Sequence, residues 1–283
     1  MSSFLNFNQL LQDIPAAERQ RQGEGAVVAV LDTGCVAHPD LLPNIVGFYD
    51  AVKQKLCKPA EYSDDTGHGT FVSGLIASGG GSSGITGVAP RAKIIVVKVS
   101  DDGMFYPAYL FNALQWLLQN CQPLPAVVNM SFDCSEGSSG VKIQQLLEQL
   151  AGLGIALVAA GNNNLRLFGN QKPMYPAREA RIMAVGSLHG EVPSGLVLNK
   201  KISYLIVRRE EYQSICTSGA GFQKRGSSFA SAMVSGAFAL LKASYPGMPL
   251  PDIKLKLNNL LSVYNSPDFN NPYKIYRNEN ADS

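Results

Sequence analysis

Short apolar runs alternate with longer stretches of helical spacing along most of the chain. Ala26–Leu31, Ile94–Val99, Ala126–Met130, Ile155–Ala160 and Ile182–Val185 have strand length and are rich in β-branched residues. Runs this apolar suit strands covered on both faces, as in a parallel sheet. Between them, residues 108–119 carry Leu110, Phe111, Leu114, Trp116, Leu117 and Leu118 and read as a helix, and residues 141–153 place Ile143, Leu146, Leu147 and Leu150 on one helical stripe. Residues 228–245 are Ala-, Val- and Leu-rich and read as a buried helix; residues 251–262 open with Pro and Asp, as helices do. The alternation predicts a three-layer α/β/α fold on a mostly parallel central sheet. Residues 1–22 read as a polar N-terminal extension and 23–283 as one domain, with 187–225 the least legible stretch.

Composition narrows the function classes. Of 283 residues, 46% are hydrophobic and 16% charged, enough apolar side chain for a large core and too much for a disordered chain. The net charge of +2 lacks the basic surplus of a nucleic-acid binder. No apolar run reaches membrane-spanning length without interruption, so no membrane partner is expected. The five cysteines have no C-x-x-C spacing, which argues against a zinc site or redox pair. The first residues lack a basic segment followed by an apolar core, so a reduced, cytoplasmic protein is expected.

Three short segments carry chemistry. Asp32-Thr-Gly follows the first strand, where open α/β sheets build their sites. His68 stands between Gly67 and Gly69 at the head of an apolar, helix-like run, and the glycines let another segment pass close by. Ser228, in Gly226-Ser-Ser-Phe-Ala, opens the buried helix. Singly these read as a turn residue, a structural histidine and a helix cap. Together they supply an orienter, a base and a nucleophile for acyl transfer. An unrelated nucleotide-binding domain would need a G-x-G-x-x-G or P-loop after the first strand, and neither is present.

Asp-Thr-Gly, His-Gly-Thr and Gly-Ser-Ser-Phe-Ala resemble the three signature segments of the subtilisin-like serine peptidases, the subtilases. The resemblance covers roughly residues 24–265 and extends to His38-Pro-Asp-Leu41, Gly87-Val-Ala-Pro90, Val128-Asn-Met-Ser131 and Ala159-Ala-Gly-Asn162. It implies that Ser228 attacks the scissile carbonyl, His68 moves the proton and Asp32 holds the imidazole. It further implies an oxyanion hole made by the Asn162 amide and the Ser228 backbone N–H, and an extended peptide substrate between Asp102-Gly103-Met104 and Ser131-Phe132-Asp133. Ala159, Ala160 and Gly161 would line the primary pocket.

Departures from the family pattern matter too. Asp133 replaces a usual glycine and would either favour a basic substrate side chain or narrow the cleft. Phe229 replaces a common methionine, Ala232 a usual proline, and the Ala-Pro-Gly segment before the serine motif is missing. Residues 78–86 occupy the family's calcium-loop position without a carboxylate, so no cofactor is expected to be required and any calcium binding, with Asp40 as one ligand, would be weak. Asp32 lies too near the start for a long propeptide, and residues 1–22 would then be either a strap or a segment across the cleft. The resemblance implies a serine endopeptidase acting on protein or peptide, with trimming of an intracellular precursor one role and general turnover another. A non-catalytic peptide-binding relative is the alternative, and the oligomeric state is open.

Overall fold

The computed structural model describes residues 14–137, 139–163, 167, 169–170, 172–189, 198–208, 211–217, 222–263, 274–279 and 281. The first half contains α1 (Ala16–Arg19), β1 (Val27–Asp32), β2 (Ile45–Asp50), β3 (Lys55–Leu56), α2 (His68–Ala77), β4 (Lys93–Lys98) and α3 (Pro107–Asn120). Then come β5 (Val127–Met130), α4 (Gly140–Gly152), β6 (Ala156–Asn163), β7 (Met183–His189), β8 (Ile202–Arg208), β9 (Tyr212–Ser214) and β10 (Phe222–Lys224). The chain continues through α5 (Ser227–Ser244), α6 (Leu250–Leu260), β11 (Ser262–Val263) and β12 (Lys274–Arg277).

A ten-stranded sheet runs in the order β11-β12-β8-β7-β6-β5-β1-β4-β2-β3. From β2 across β4, β1, β5, β6 and β7 to β8, every neighbouring pair is parallel. Side chains alternate across the pleat, and both faces are covered. Val28 and Val30 join one core with Phe71, Leu75, Phe238 and Leu257 from α2, α5 and α6. Ala29 and Leu31 join the other with Leu114, Leu117, Ile143 and Leu150 from α3 and α4. Burial on both sides is why the strands read as unbroken apolar runs. The architecture is the expected three-layer α/β/α.

Two features of this frame set up the site. The strand order reverses at β1, with later strands added on both sides of it, so a crevice opens beyond its carboxyl end. Asp32 is the last residue of that strand. The other feature is α5, the buried helix expected over 228–245 and found at Ser227–Ser244, which packs against β5, β6 and β7. Close packing there uses Gly236, where an added Cβ would stand 2.6 Å from Val88 Cβ.

The far end of α5 receives the N-terminal segment. Ile14 is buried, Ser244 Oγ donates to the Glu18 carbonyl at 2.8 Å, and Tyr245 OH donates to Glu18 Oε1 at 2.9 Å. Ser244 lies sixteen residues beyond Ser228, about 24 Å along the helix. The described part of the extension, residues 14–22, is therefore fastened at the end of α5 opposite Ser228; residues 1–13 lie outside the described residues. Deleting residues 1–22 is expected to lower the melting temperature while leaving kcat/KM of the folded protein unchanged. A rise in kcat/KM on deletion would instead mark the segment as inhibitory.

Candidate active site

Asp32 is fully buried at the end of β1. Its Oδ1 accepts the Thr33 backbone N–H at 2.8 Å and faces His68 Nδ1 at 2.7 Å. An ionised carboxylate can only accept, so Nδ1 carries the proton in this pair and Nε2 is left with its lone pair in the neutral ring. His68 is the first residue of α2, and the loop before that helix is held by Asp64. The Asp64 carboxylate accepts the backbone N–H of Gly67 and Thr70 and the hydroxyls of Thr33 and Thr70, all within 2.9 Å. Those bonds satisfy amides that a helix start leaves unpaired. Two glycines make the approach of α2 to β1 sterically possible. At Gly69 an added Cβ would stand 2.2 Å from the Gly34 carbonyl oxygen, and at Gly34, where φ is +110°, 2.1 Å from the Ser63 carbonyl oxygen.

Burial by itself pushes the His68 imidazolium towards losing its proton, but the Asp32 carboxylate and its hydrogen bond outweigh this. The ring's pKa stands above the ordinary histidine value as a result. Stability from this pair is fully present below a pH of about 6.5 and is lost as pH rises through the raised folded-state pKa. A proton-accepting role needs the neutral ring. The acid limb of kcat/KM is accordingly expected to have its midpoint above about 6.5, and a pH–rate profile with a midpoint below that value would contradict the arrangement.

Ser228 is half-buried in the first turn of α5, behind Gly226, whose φ of +138° favours glycine. Its neighbour Phe229 packs on the His68 ring with centroids 5.4 Å apart, and on Phe71 and Tyr212. The serine's own chain segment thus touches the imidazole. Among the described residues no hydrogen bond joins Ser228 Oγ to the ring, a bond that in uncomplexed sites often tightens only with substrate present. Asn162 is buried near the end of β6. The adjacent Asn163 Oδ1 accepts the Ser227 N–H at 2.8 Å, and Ser227 Oγ donates to the Gly161 carbonyl at 3.2 Å. Those two bonds clip the β6 end, and Asn162 with it, to the helix start that carries Ser228.

The remaining expected residues lie in three segments. In one, Gly103 N–H donates to Ser100 Oγ and Met104 N–H to Asp102 Oδ1, each at 2.9 Å, while the Met104 side chain is exposed. In another, Ser131 is buried, Asp133 is exposed, and Phe132 stacks on Phe105 with centroids 4.3 Å apart. That stack buries the Phe132 ring against the residue that follows Met104. Ala159 is fully buried in the core facing α3 and α4, while Ala160 and Gly161 lie closer to the surface.

Several residues that shape this region escaped the sequence reading. Asp64 is one; nothing in the sequence separates it from its neighbour Asp65, and the difference lies in the hydrogen bonds Asp64 accepts from Gly67, Thr70 and Thr33. Lys98 is another. Its buried ammonium pairs with Asp101 at 2.9 Å and Asp65 at 3.2 Å, tying the loop before His68 to the loop before Gly103. A lysine ending an apolar run reads simply as the end of a strand. Cys35, two residues from Thr33, is buried, and that burial, with Asp64 nearby, pushes its thiol far up and away from reactivity.

A carboxylate-held imidazole beside a serine at a helix start can take up that hydroxyl's proton, which is the chemistry of serine hydrolases. Comparison with known proteins gives the class. Residues 23–270 match the model of the subtilase family, Peptidase_S8, and the chain belongs to that family. It is 32% identical over 268 residues to the thermostable alkaline protease of Halalkalibacterium halodurans, covering 94% of this chain and 68% of that protein. It is also 32% identical over 229 residues to the major intracellular serine protease of Bacillus subtilis, covering 78% and 70%. Among solved structures, a cold adapted subtilisin-like serine proteinase superposes with a TM-score of 0.70 at 25% identity, covering 87% of this chain and 86% of that one. Sphericase has the same TM-score at 24% identity, covering 88% and 90%, a likeness of fold. The chain is a serine endopeptidase, acting on protein or peptide substrates.

Proposed function

We propose that Asp32, His68 and Ser228 are the catalytic triad and that Asn162 and the Ser228 backbone N–H form the oxyanion hole. Ser228 Oγ attacks the scissile carbonyl while His68 Nε2 takes its proton. The carbonyl π pair moves to oxygen, where the Asn162 amide and the helix-start N–H receive the charge. Collapse breaks the C–N bond, His68 returns the proton to the leaving amine, and an acyl-Ser228 ester remains. Water, deprotonated by the same ring, then releases the carboxylic acid. Asp32 holds Nδ1–H throughout and stabilises the imidazolium. The 2.7 Å Asp32–His68 contact beside the Phe229-anchored helix start carries this reading. Its test is a fluorophosphonate probe followed by peptide mass spectrometry. Labelling is expected at Ser228 alone, and a folded protein left unlabelled would favour the peptide-binding alternative.

The substrate lies extended between residues 102–104 and 131–133 in this reading, using main-chain hydrogen bonds that suit many sequences. A cytoplasmic setting is supported by the intracellular relative and by cysteines that form no disulfide among the described residues, which suits a reducing compartment. Calcium is not needed in this proposal, because the residues at the candidate loop fit it poorly. The Asp40 carboxylate already accepts the amides and hydroxyls of both Ser82 and Ser83. Burial opposes its charge, yet these four donors hold its pKa well below the usual carboxylate range. The loop adds no carboxylate of its own. Chelation followed by calcium addition is expected to leave the melting temperature unchanged, and a clear rise would contradict this.

A further inference from the structure

We propose that Ser131 and Ser231 form a positioning pair that holds the main chain of Ser228, with Asn129 and Ser235 setting the pair's orientation; this rests on Ser228 being the nucleophile. The Ser228 carbonyl accepts from Ser131 Oγ at 2.7 Å and from Ser231 Oγ at 2.8 Å, and the two hydroxyls lie 2.9 Å apart. Behind them, Asn129 Nδ2 donates to Ser131 Oγ at 2.8 Å, and Ser235 Oγ donates to Asn129 Oδ1 at 3.0 Å. All four side chains are at most 1% exposed, which shields these bonds from bulk solvent.

Proton counting gives the network its direction. Ser235 has one hydroxyl proton and spends it on the Asn129 oxygen, which turns the Asn129 amide nitrogen towards Ser131. Ser131 therefore accepts from Asn129 and must point its own proton forward, at the Ser228 carbonyl or at Ser231 Oγ. Ser231 has the complementary choice. The two hydroxyls cannot donate to each other at once, so at least one proton always reaches the carbonyl.

The consequence is control of Ser228 from both flanks. Ser227 N–H is tied to Asn163 Oδ1 on β6, and the Ser228 carbonyl is tied through Ser131 to the end of β5. The Cα–Cβ bond of the nucleophile is thus aimed by main-chain contacts rather than by its own hydroxyl, which stays available for attack. Ser131 also begins the 131–133 wall, so the segment assigned to substrate and the nucleophile's turn share one anchor.

The experiment compares Ser131→Ala, Ser231→Ala and the double variant with wild type, measuring fluorophosphonate labelling rate, kcat, KM and the pH profile. Each single change is expected to slow labelling and lower kcat about tenfold, with KM held within about twofold, since a small misaim of a reacting atom is costly. The acid limb should not move, because Asp32 and His68 are untouched. The double variant should lose more than the product of the singles, because each single variant still keeps one hydroxyl donating to the Ser228 carbonyl. Ser244→Ala, which removes a hydroxyl-to-carbonyl bond at the other end of α5, is the control; it should lower the melting temperature without slowing labelling. Should Ser131→Ala fail to fold, Ser231→Ala decides alone, alanine being well suited to a helix. Serine-pair variants that lose stability yet label and turn over at the wild-type rate would overturn the proposal by itself. A wild type that does not label would remove the nucleophile reading and this proposal together.

Discussion

Ser228→Ala is expected to lower kcat by about a million-fold while the protein still folds and binds peptide. Nucleophile and base act as a unit, so losing the hydroxyl forfeits the covalent route entirely and leaves only transition-state binding by the remaining site, a loss on the order of 10⁶. The Ser228 side chain makes no hydrogen bond among the described contacts that its removal would break, and alanine is the best helix former. Stability should therefore hold. The check is a progress curve on a peptide substrate together with a thermal melt. Activity within tenfold of wild type would mean that another group attacks the carbonyl.

Asp32→Asn should cost about 10⁴ in kcat at neutral pH, by a different route. An amide placed at 0% exposure against His68 Nδ1 can present its NH₂, in which case the ring must accept there and carry its proton on Nε2. The nitrogen facing Ser228 is then a donor, and the hydroxyl has no base. The same change removes the charge that raises the His68 pKa, so the acid limb of the residual activity should move to lower pH. Binding should be nearly unaffected, since Asp32 is fully buried and cannot itself touch a substrate. Measured kcat, KM and pH profile test all three points, and a large rise in KM with kcat preserved would contradict the assigned role.

Much of this arrangement was legible in the chain because its parts obey local rules that point the same way. Strands covered on both faces leave uninterrupted apolar runs, and α5 announces itself by eighteen residues without a strong break. Asp32, His68 and Ser228 each sit at the boundary of such an element with a glycine within two residues. The illegible parts fail for physical reasons. β9 and β10 pair over only three residues each, too few for a period to show. β2 lies towards the sheet edge, its register with β4 shifts between Ile45 and Gly47, and its burial is mixed. The family resemblance pointed to Phe132 and Ala159 as substrate-binding positions. It did not reveal that the Phe132 ring turns onto Phe105 or that Ala159 faces the core, because side-chain direction is decided by partners distant in sequence.

The position of β1 at the middle of the sheet has a consequence for how the enzyme comes into being. Asp32 ends a strand flanked by β4 and β5, and Ser228 follows far along the chain, at the start of α5. Contacts of such long separation form late in folding. In the proposed mechanism, a chain in which α5 is not yet seated carries the carboxylate and the imidazole without the nucleophile beside them, and so has no capacity to cut.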